Sequence, residues 1–334
     1  MRLISEIRKT IIHSNPGMNQ SFLLHQQFND FDDFFVNARN WDLDYRQIES
    51  GPFSSELLMI GNSTTLFSRA KLGRKMIQQG APPESLITFG ILADPGINIH
   101  WRNIDISGDD LFIFPENGEL DSISHDDFDV FVISLTEAKL NQSCHSLRLP
   151  DIRTLINNDE AFRCNSSKLT ELRAWLLSTS NQLTSMASPD LDMGYMQHIE
   201  QELADRLVGI CARRYQPICK KSFRRRDIAL MTAKEYIADA GAGVLTVSEL
   251  CQVAGVCERT LEYAFRERYG LTPKNYLLLY SLNEARKQLR MADSSTCHVT
   301  EIARQHGFWH MGAFGADYKK LFAELPSETL KFQS

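Results

Sequence analysis

The chain has 334 residues, 43% hydrophobic and 23% charged, which excludes a disordered polymer and leaves room for two domains at roughly 150 residues each. Its net charge of −6 divides unevenly: residues 1–205 hold 16 Lys+Arg against 29 Asp+Glu, and residues 206–334 hold 20 against 13. No apolar run approaches the roughly 20 residues that cross a bilayer, Met1–Thr10 lacks a signal-peptide core, and seven cysteines without a CxxC pair argue against a disulfide framework or zinc cluster, so a cytoplasmic chain without membrane contact is expected.

Phe31, Phe34, Phe35 and Ala38 recur at helical spacing after Asn29, a residue that caps helix starts. From Glu56 the period changes to two. Strands are predicted at Glu56–Ile60, Leu66–Lys71, Leu86–Leu92, Ile97–Ile104, Leu111–Phe114 and Phe128–Leu135, separated by turns such as Gly61-Asn62, Asp94-Pro95-Gly96 and Pro115–Gly118. Short strands at this spacing fit a barrel or sandwich better than alternating strand–helix units. Trp101, Phe67 and Phe89 could line a cavity, although strand aromatics are more often core.

Two helices follow. Leu169, Leu172, Trp175 and Leu176 mark one, and Ile199, Leu203 and Leu207 the other. These stripes can pack on the strands or pair with a second copy, and they are the expected dimerisation residues. Arg206 to Arg226 contains eight basic residues and no acidic ones, the composition of a basic linker able to track phosphates.

The last hundred residues contain an internal repeat. Ser248–Val256 recurs as Thr300–Phe308 at an offset of 52, and after one inserted residue Leu261, Phe265 and Pro273 recur as Phe314, Tyr318 and Pro326. Each copy reads as helix, glycine turn, helix, with Thr246 and Glu249 as a capping box, Gly255 and Gly307 at the turns, and Pro273 opening a long connecting helix to Met291. Such a unit docks its second helix in a major groove, and one connecting helix can hold two of them about one DNA turn apart, on the order of 34 Å.

This segment, roughly residues 228–330, resembles the C-terminal domain of the AraC/XylS transcription regulators. The resemblance rests on Ser248-Glu249-Leu250, Gly255-Val256, Leu261–Phe265, Gly270–Pro273, Ala285-Arg286, Glu301–Ala303 and Gly307-Phe308. The run Gly307–Gly312, with Asp317-Tyr318 and Pro326-Ser327, is similar to the subgroup containing the ethanolamine-operon regulator. The front half is similar in strand order to the cupin-like sensor barrels of that family. The resemblance implies an α+β chain: a β-rich sensor domain over 1–150, a helical dimerisation segment over 151–212, a linker over 213–227 and an all-α domain with two helix-turn-helix motifs over 228–334.

On the first reading helix, Arg259, Thr260, Glu262 and Tyr263 are the candidates for base contact, with Arg259 suited to guanine and Glu262 to cytosine. On the second they are Trp309, His310, Met311 and Gly312. Arg266, Lys274, Arg286, Arg304, Lys319 and Lys320 are candidates for phosphate contact. Cys251 reads as core, and Cys257 stands at a helix start better suited to serine. The expected function is sequence-specific transcription regulation, as an activator, with duplex DNA, a second copy, RNA polymerase and a small-molecule effector as partners. The alternatives are control by a protein partner, or a cupin-like enzyme with a DNA-tethering tail. No GxGxxG, Walker, HExxH or GxSxG motif appears. His25, His100, His125 and His145 match no ligand spacing, and the aspartates at 30–33 and 126–129 lack EF-hand spacing. Neither an enzyme, nor a cofactor, nor a metal is expected.

Overall fold

The computed structural model describes residues 21–38, 41–101, 104–115, 120–125, 127–164, 166–186, 193–213, 217–218, 224–241 and 243–331. The Pro115–Gly118 turn, Asp126 and most of the basic run from Arg214 to Lys221 lie largely or wholly outside these residues. The chain divides into two compact units: residues 1–44, 54–73 and 78–220, and residues 45–53, 74–77 and 221–334. Among the described residues no helix is long and apolar enough to cross a membrane.

In chain order the strands are β1 (Phe22–Phe28), β2 (Asp42–Gln47), β3 (Ser55–Gly61), β4 (Thr65–Leu72), β5 (Met76–Ala81), β6 (Ile87–Leu92), β7 (Ile99–Trp101), β8 (Ile104–Ile106), β9 (Asp110–Ile113), β10 (Leu120–Ile123), β11 (Phe128–Leu135) and β12 (Ala161–Arg163), with a short helix α1 (Phe31–Asn37) after β1. They form a seven-stranded sheet in the order β1-β3-β4-β11-β6-β9-β12 and a five-stranded sheet in the order β2-β5-β10-β7-β8. The strands therefore make two sheets that do not close on each other, the β-rich domain that the sequence suggested as a barrel or sandwich. The β3–β4 hairpin turns where Asn62 Oδ1 accepts from the backbone N–H of Thr64 and Thr65, at 2.8 and 2.9 Å. The run read as one strand over Ile97–Ile104 is two, β7 and β8, paired antiparallel with Trp101 opposite Ile104.

Side chains on the large sheet alternate between two environments, as the two-residue period requires. Phe67, Phe89, Phe131, Ile133 and Leu135 pack in one core with the helices α2 (Glu137–Ser146), α3 (Ile152–Ile156), α4 (Ser166–Ser185) and α5 (Met193–Cys211). Phe67 and Phe89 thus belong to a sheet–helix core. The dimerisation reading is corrected here. Leu169, Leu172, Leu176, Ile199, Leu203 and Leu207 are each 0–1% exposed within that same core. Trp175 packs at its edge, with the Arg206 guanidinium 5.1 Å over its ring. The apolar stripes of both helices are consumed by their own chain, so they are not free to bind a second copy.

The helices of the second unit are α6 (Arg225–Ala240), α7 (Val247–Ala254), α8 (Glu258–Tyr269), α9 (Pro273–Met291), α10 (Val299–Gln305), α11 (Met311–Phe322) and α12 (Pro326–Lys331). Helix α6 starts inside the segment read as linker. The unit also contains residues 45–53, which the sequence did not assign to it. Gln47, fully buried, donates its backbone N–H to Asn283 Oδ1 and accepts from Asn283 Nδ2 at its carbonyl, both at 2.9 Å. Its side-chain Nε2 donates to the Leu321 carbonyl at 2.8 Å, and the Gly51 N–H donates to the same carbonyl at 3.0 Å.

Candidate nucleic-acid interface

The first helix-turn-helix is α7 and α8. Thr246 opens α7 as a reciprocal capping box: its hydroxyl oxygen accepts from the Glu249 N–H at 3.2 Å, and the Glu249 carboxylate accepts from the Thr246 N–H at 2.7 Å. The Thr246 hydroxyl, donating to Glu249 Oε2 at 2.8 Å, and the Thr246 N–H hold the Glu249 carboxyl below its ordinary range. Gly255 closes α7 at φ +62, a left-handed conformation that glycine adopts without a Cβ clash. On α8, Leu261, Ala264, Phe265 and Tyr269 are buried. The rings of Phe265 and Tyr269 pack on Tyr276 of α9, with centroids 5.0 and 4.8 Å away.

This packing leaves Arg259, Glu262, Tyr263 and Arg266 on the outer side of α8, with Glu262 partly covered and the other three exposed. Arg259 donates from Nη2 to Tyr263 Oη at 3.3 Å, and its guanidinium lies 5.6 Å from the Tyr263 ring centroid. One turn on, Arg266 donates from Nε to Glu262 Oε1 at 3.0 Å. Glu262 is therefore held by Arg266 and would have to leave it to accept from a base. Thr260 is half-buried, and its Oγ1 lies 3.3 Å from Cys257 Sγ. Cys257, exposed at the start of α8, has its thiol pKa lowered by the Thr260 hydroxyl and the backbone N–H groups of the first turn. Cys251, read as core, is half-buried on α7.

The second copy is α10 and α11, with its turn at Gly307, φ +84. A Cβ there would stand 2.8 Å from Val244 Cγ2. Phe314, Tyr318, Leu321 and Phe322 are buried, Phe308 packs on Phe314 at 4.8 Å, and the Tyr318 hydroxyl lies 2.7 Å from Thr329 Oγ1. Trp309 is 69% exposed, so it is a surface residue and not core. His310 caps α11 and is exposed, as are Gly312, Lys319 and Lys320, while Met311 is half-buried. Where the first copy ends α8 on Gly270 at φ +72, the second ends α11 on Ala323 at φ +61, a conformation an alanine adopts at a cost of roughly 1–2 kcal/mol.

Among the phosphate candidates, Lys274, Arg304, Lys319, Lys320 and Arg266 are exposed. Arg286 is a correction. It is 3% exposed, donates to Glu324 Oε1 at 3.1 Å and lies over the Phe322 ring at 5.3 Å. Its charge is spent inside the unit, joining α9 to the end of α11, and no phosphate can reach it. In the basic run, Arg224 and Arg226 both bond Glu267 of α8, at 2.7 and 2.8 Å. Those two charges fix the start of α6 to the first reading helix. In the front half, His25, His100 and His145 face Glu56, Asp105 and Asp151 in pairs, and no group of metal-ligating side chains is gathered among the described residues.

The sequence model described as a helix-turn-helix domain matches residues 250–331, the stretch just built. A probable AraC family transcriptional regulator of known structure from Rhodopseudomonas palustris is 31% identical over 31% of this chain and 94% of that one, with a TM-score of 0.28. This chain carries an AraC-family domain. The chain is also 37% identical over 99 residues to the probable thc operon regulatory protein of Rhodococcus erythropolis, covering 30% of each chain. It is 29% identical over 114 residues to the XylDLEGF operon transcriptional activator of Pseudomonas putida, covering 34% of this chain and 36% of that one. The chain thus spans about a third of the length of these curated relatives.

Proposed function

We propose that this chain is a sequence-specific DNA-binding transcription regulator of the AraC type, an activator rather than an enzyme, acting in the cytoplasm. The observation that carries the reading is the pair of exposed second helices, α8 with Arg259 and Tyr263 and α11 with Trp309 and His310, built into one unit around α9. At 19 residues α9 is about 28 Å long, close to one turn of B-DNA. The first copy carries hydrogen-bonding side chains that distinguish bases. The second, with an indole and a histidine beside Gly312, adds affinity and contact with thymine methyls. Lys274, Arg304, Lys319 and Lys320 position the duplex by its phosphates.

The proposal includes a homodimer, RNA polymerase as a partner at the promoter, and a small-molecule effector taken up by the first unit. Kinship of residues 307–312 with the ethanolamine-operon subgroup also stands as part of it. A dimer interface must use surfaces other than the buried stripes of α4 and α5. The test is selection of binding sites from a randomised duplex library with the full chain, followed by binding across 50–300 mM salt. Enrichment of one sequence, with an affinity that falls as a power of salt at roughly −0.9 per phosphate contacted, is expected. Failure to enrich any sequence overturns the reading.

A further inference from the structure

The interior of the first unit contains polar groups that the DNA-reading function does not use. On the large sheet, Phe67, Phe89 and Ile133 face the helices, so their neighbours Ser68, Thr88 and Ser134 face the opposite way, toward the second sheet. All three are at most 5% exposed, and Thr88 Oγ1 donates to Ser134 Oγ at 2.9 Å. These are short, polar residues at positions where a two-sheet core ordinarily carries large aliphatic ones.

On the smaller sheet, Ser122 of β10 stands directly opposite Trp101 of β7, so both share a face. The Trp101 indole meets Phe112 of the large sheet at 4.7 Å and Phe114 at 4.5 Å, which makes that face the inner one. Gln78, on β5 beside β10, is tied to the same face because Ser122 Oγ donates to its Oε1 at 3.4 Å. That bond leaves the amide Nε2 as the free end. Trp101 is 2% exposed and Gln78 6%, yet neither Trp101 Nε1 nor Gln78 Nε2 has an acceptor among the described residues. Buried donors are almost always satisfied in folded proteins, so two orphans on one inner face call for an acceptor beyond the described residues.

We propose that the inner face between the two sheets binds a small, flat, uncharged organic compound whose carbonyl-type oxygen is held by Trp101 Nε1 and Gln78 Nε2, against the aromatic wall of Trp101, Phe112 and Phe114. This rests on the reading of the first unit as the effector-binding part. A few placed donors in an otherwise apolar, concave lining are what small-molecule sites consist of. The absence of charge in the ligand follows from the surroundings. Among the described residues, the buried charged groups of this unit are engaged elsewhere: Asp110 with Arg163 and Ser107, Arg173 with the carbonyls of Leu92 and Gly108, and Glu200 with Thr64 and Thr65. None of these stands by to neutralise a carboxylate, and a buried carboxylate held by two neutral donors alone is strongly disfavoured.

Calorimetric titration of the full chain with benzamide, acetophenone, benzoate and toluene tests this. Benzamide and acetophenone are expected to bind saturably, with benzoate and toluene at least about 10-fold weaker. Trp101→Phe and Gln78→Leu are each expected to weaken benzamide by about 3- to 10-fold, the worth of one hydrogen bond. Trp101→Phe removes only an orphaned donor, while Gln78→Leu also takes the acceptor of Ser122 Oγ, so Trp101→Phe is the cleaner variant; the wild-type comparison of benzamide with benzoate decides the matter even if a variant does not fold. Lack of saturable binding by both neutral compounds overturns the proposal and leaves water as the occupant, as do benzoate affinity equal to benzamide or unchanged affinity in both variants. Binding to selected duplex, measured separately without added compound, shows whether a failure belongs to this site or to the regulator reading itself.

Discussion

Under the proposed function, Arg259 of α8 is the side chain on which base recognition by the first helix-turn-helix would turn. A guanidinium that donates two bonds to guanine O6 and N7 discriminates by about 1–3 kcal/mol against other bases. In the free protein its Nη2 bonds Tyr263 Oη at 3.3 Å, and giving up that exposed bond costs about 0.5–1.5 kcal/mol. The two figures leave about 0.5–1.5 kcal/mol for readout, or about 2- to 13-fold at a single base pair. Arg259→Ala should therefore flatten preference at one position of the selected site by that factor and leave the other positions unchanged. Arg259→Lys keeps the charge but not the planar fork, so it should lose most of the same preference while retaining the salt dependence. Lys274→Ala should do the reverse, reducing the log–log salt slope by about 0.9 with base preference intact. The assay is competition by a set of duplexes each changed at one base pair, read by fluorescence anisotropy. If both Arg259 variants rank the set as the wild type does, the assignment of α8 as a base reader is wrong.

Two further outcomes concern the second unit itself. Asn283→Leu leaves the buried N–H and C=O of Gln47 without partners, at about 1–3 kcal/mol each, so urea denaturation should show a loss of about 2–6 kcal/mol; a loss under 0.5 kcal/mol would contradict the pairing. His306, half-buried with Nε2 2.8 Å from Gln288 Oε1, has its pKa lowered by burial, an effect partly opposed by Glu284. The neutral ring's contribution to stability is thus complete above the unfolded value of about 6.5 and is lost as pH falls through the lower folded value. His306→Gln should flatten the stability profile between about pH 7 and 5, and an unchanged profile would assign the slope to other groups.

The second unit was legible because its signals are local. A capping box at Thr246, glycines at 255, 270 and 307, and a proline at 273 each dictate a backbone conformation within a few residues, and α9 spans the predicted Pro273–Met291. The strongly apolar strands bounded by polar segments, such as β11 at Phe128–Leu135, were equally clear. Those missed carry more polar residues: β5 holds Gln78, Gln79 and Gly80, and β2 holds two aspartates, an arginine and a glutamine beside Leu43 and Tyr45. Register between distant segments leaves no local trace. Nothing in the sequence assigns Gln47 to Asn283, or says that the leucines of α4 and α5 face a sheet and not a second chain. Arg286 falls between the two cases. Its position matches a family pattern, but the burial that removes it from the surface depends on Glu324, 38 residues away.

The embrace of Asn283 and the Leu321 carbonyl by residues 47 and 51 bears on how the molecule is dissected. A protein fragment beginning near residue 221 would include every helix of the reader but omit the stretch 45–53 that covers the midpoint of α9 and the tail of α11. Behaviour measured on such a piece would be that of a domain stripped of part of its own interior. Quantitative work on operator recognition therefore calls for the uncut polypeptide.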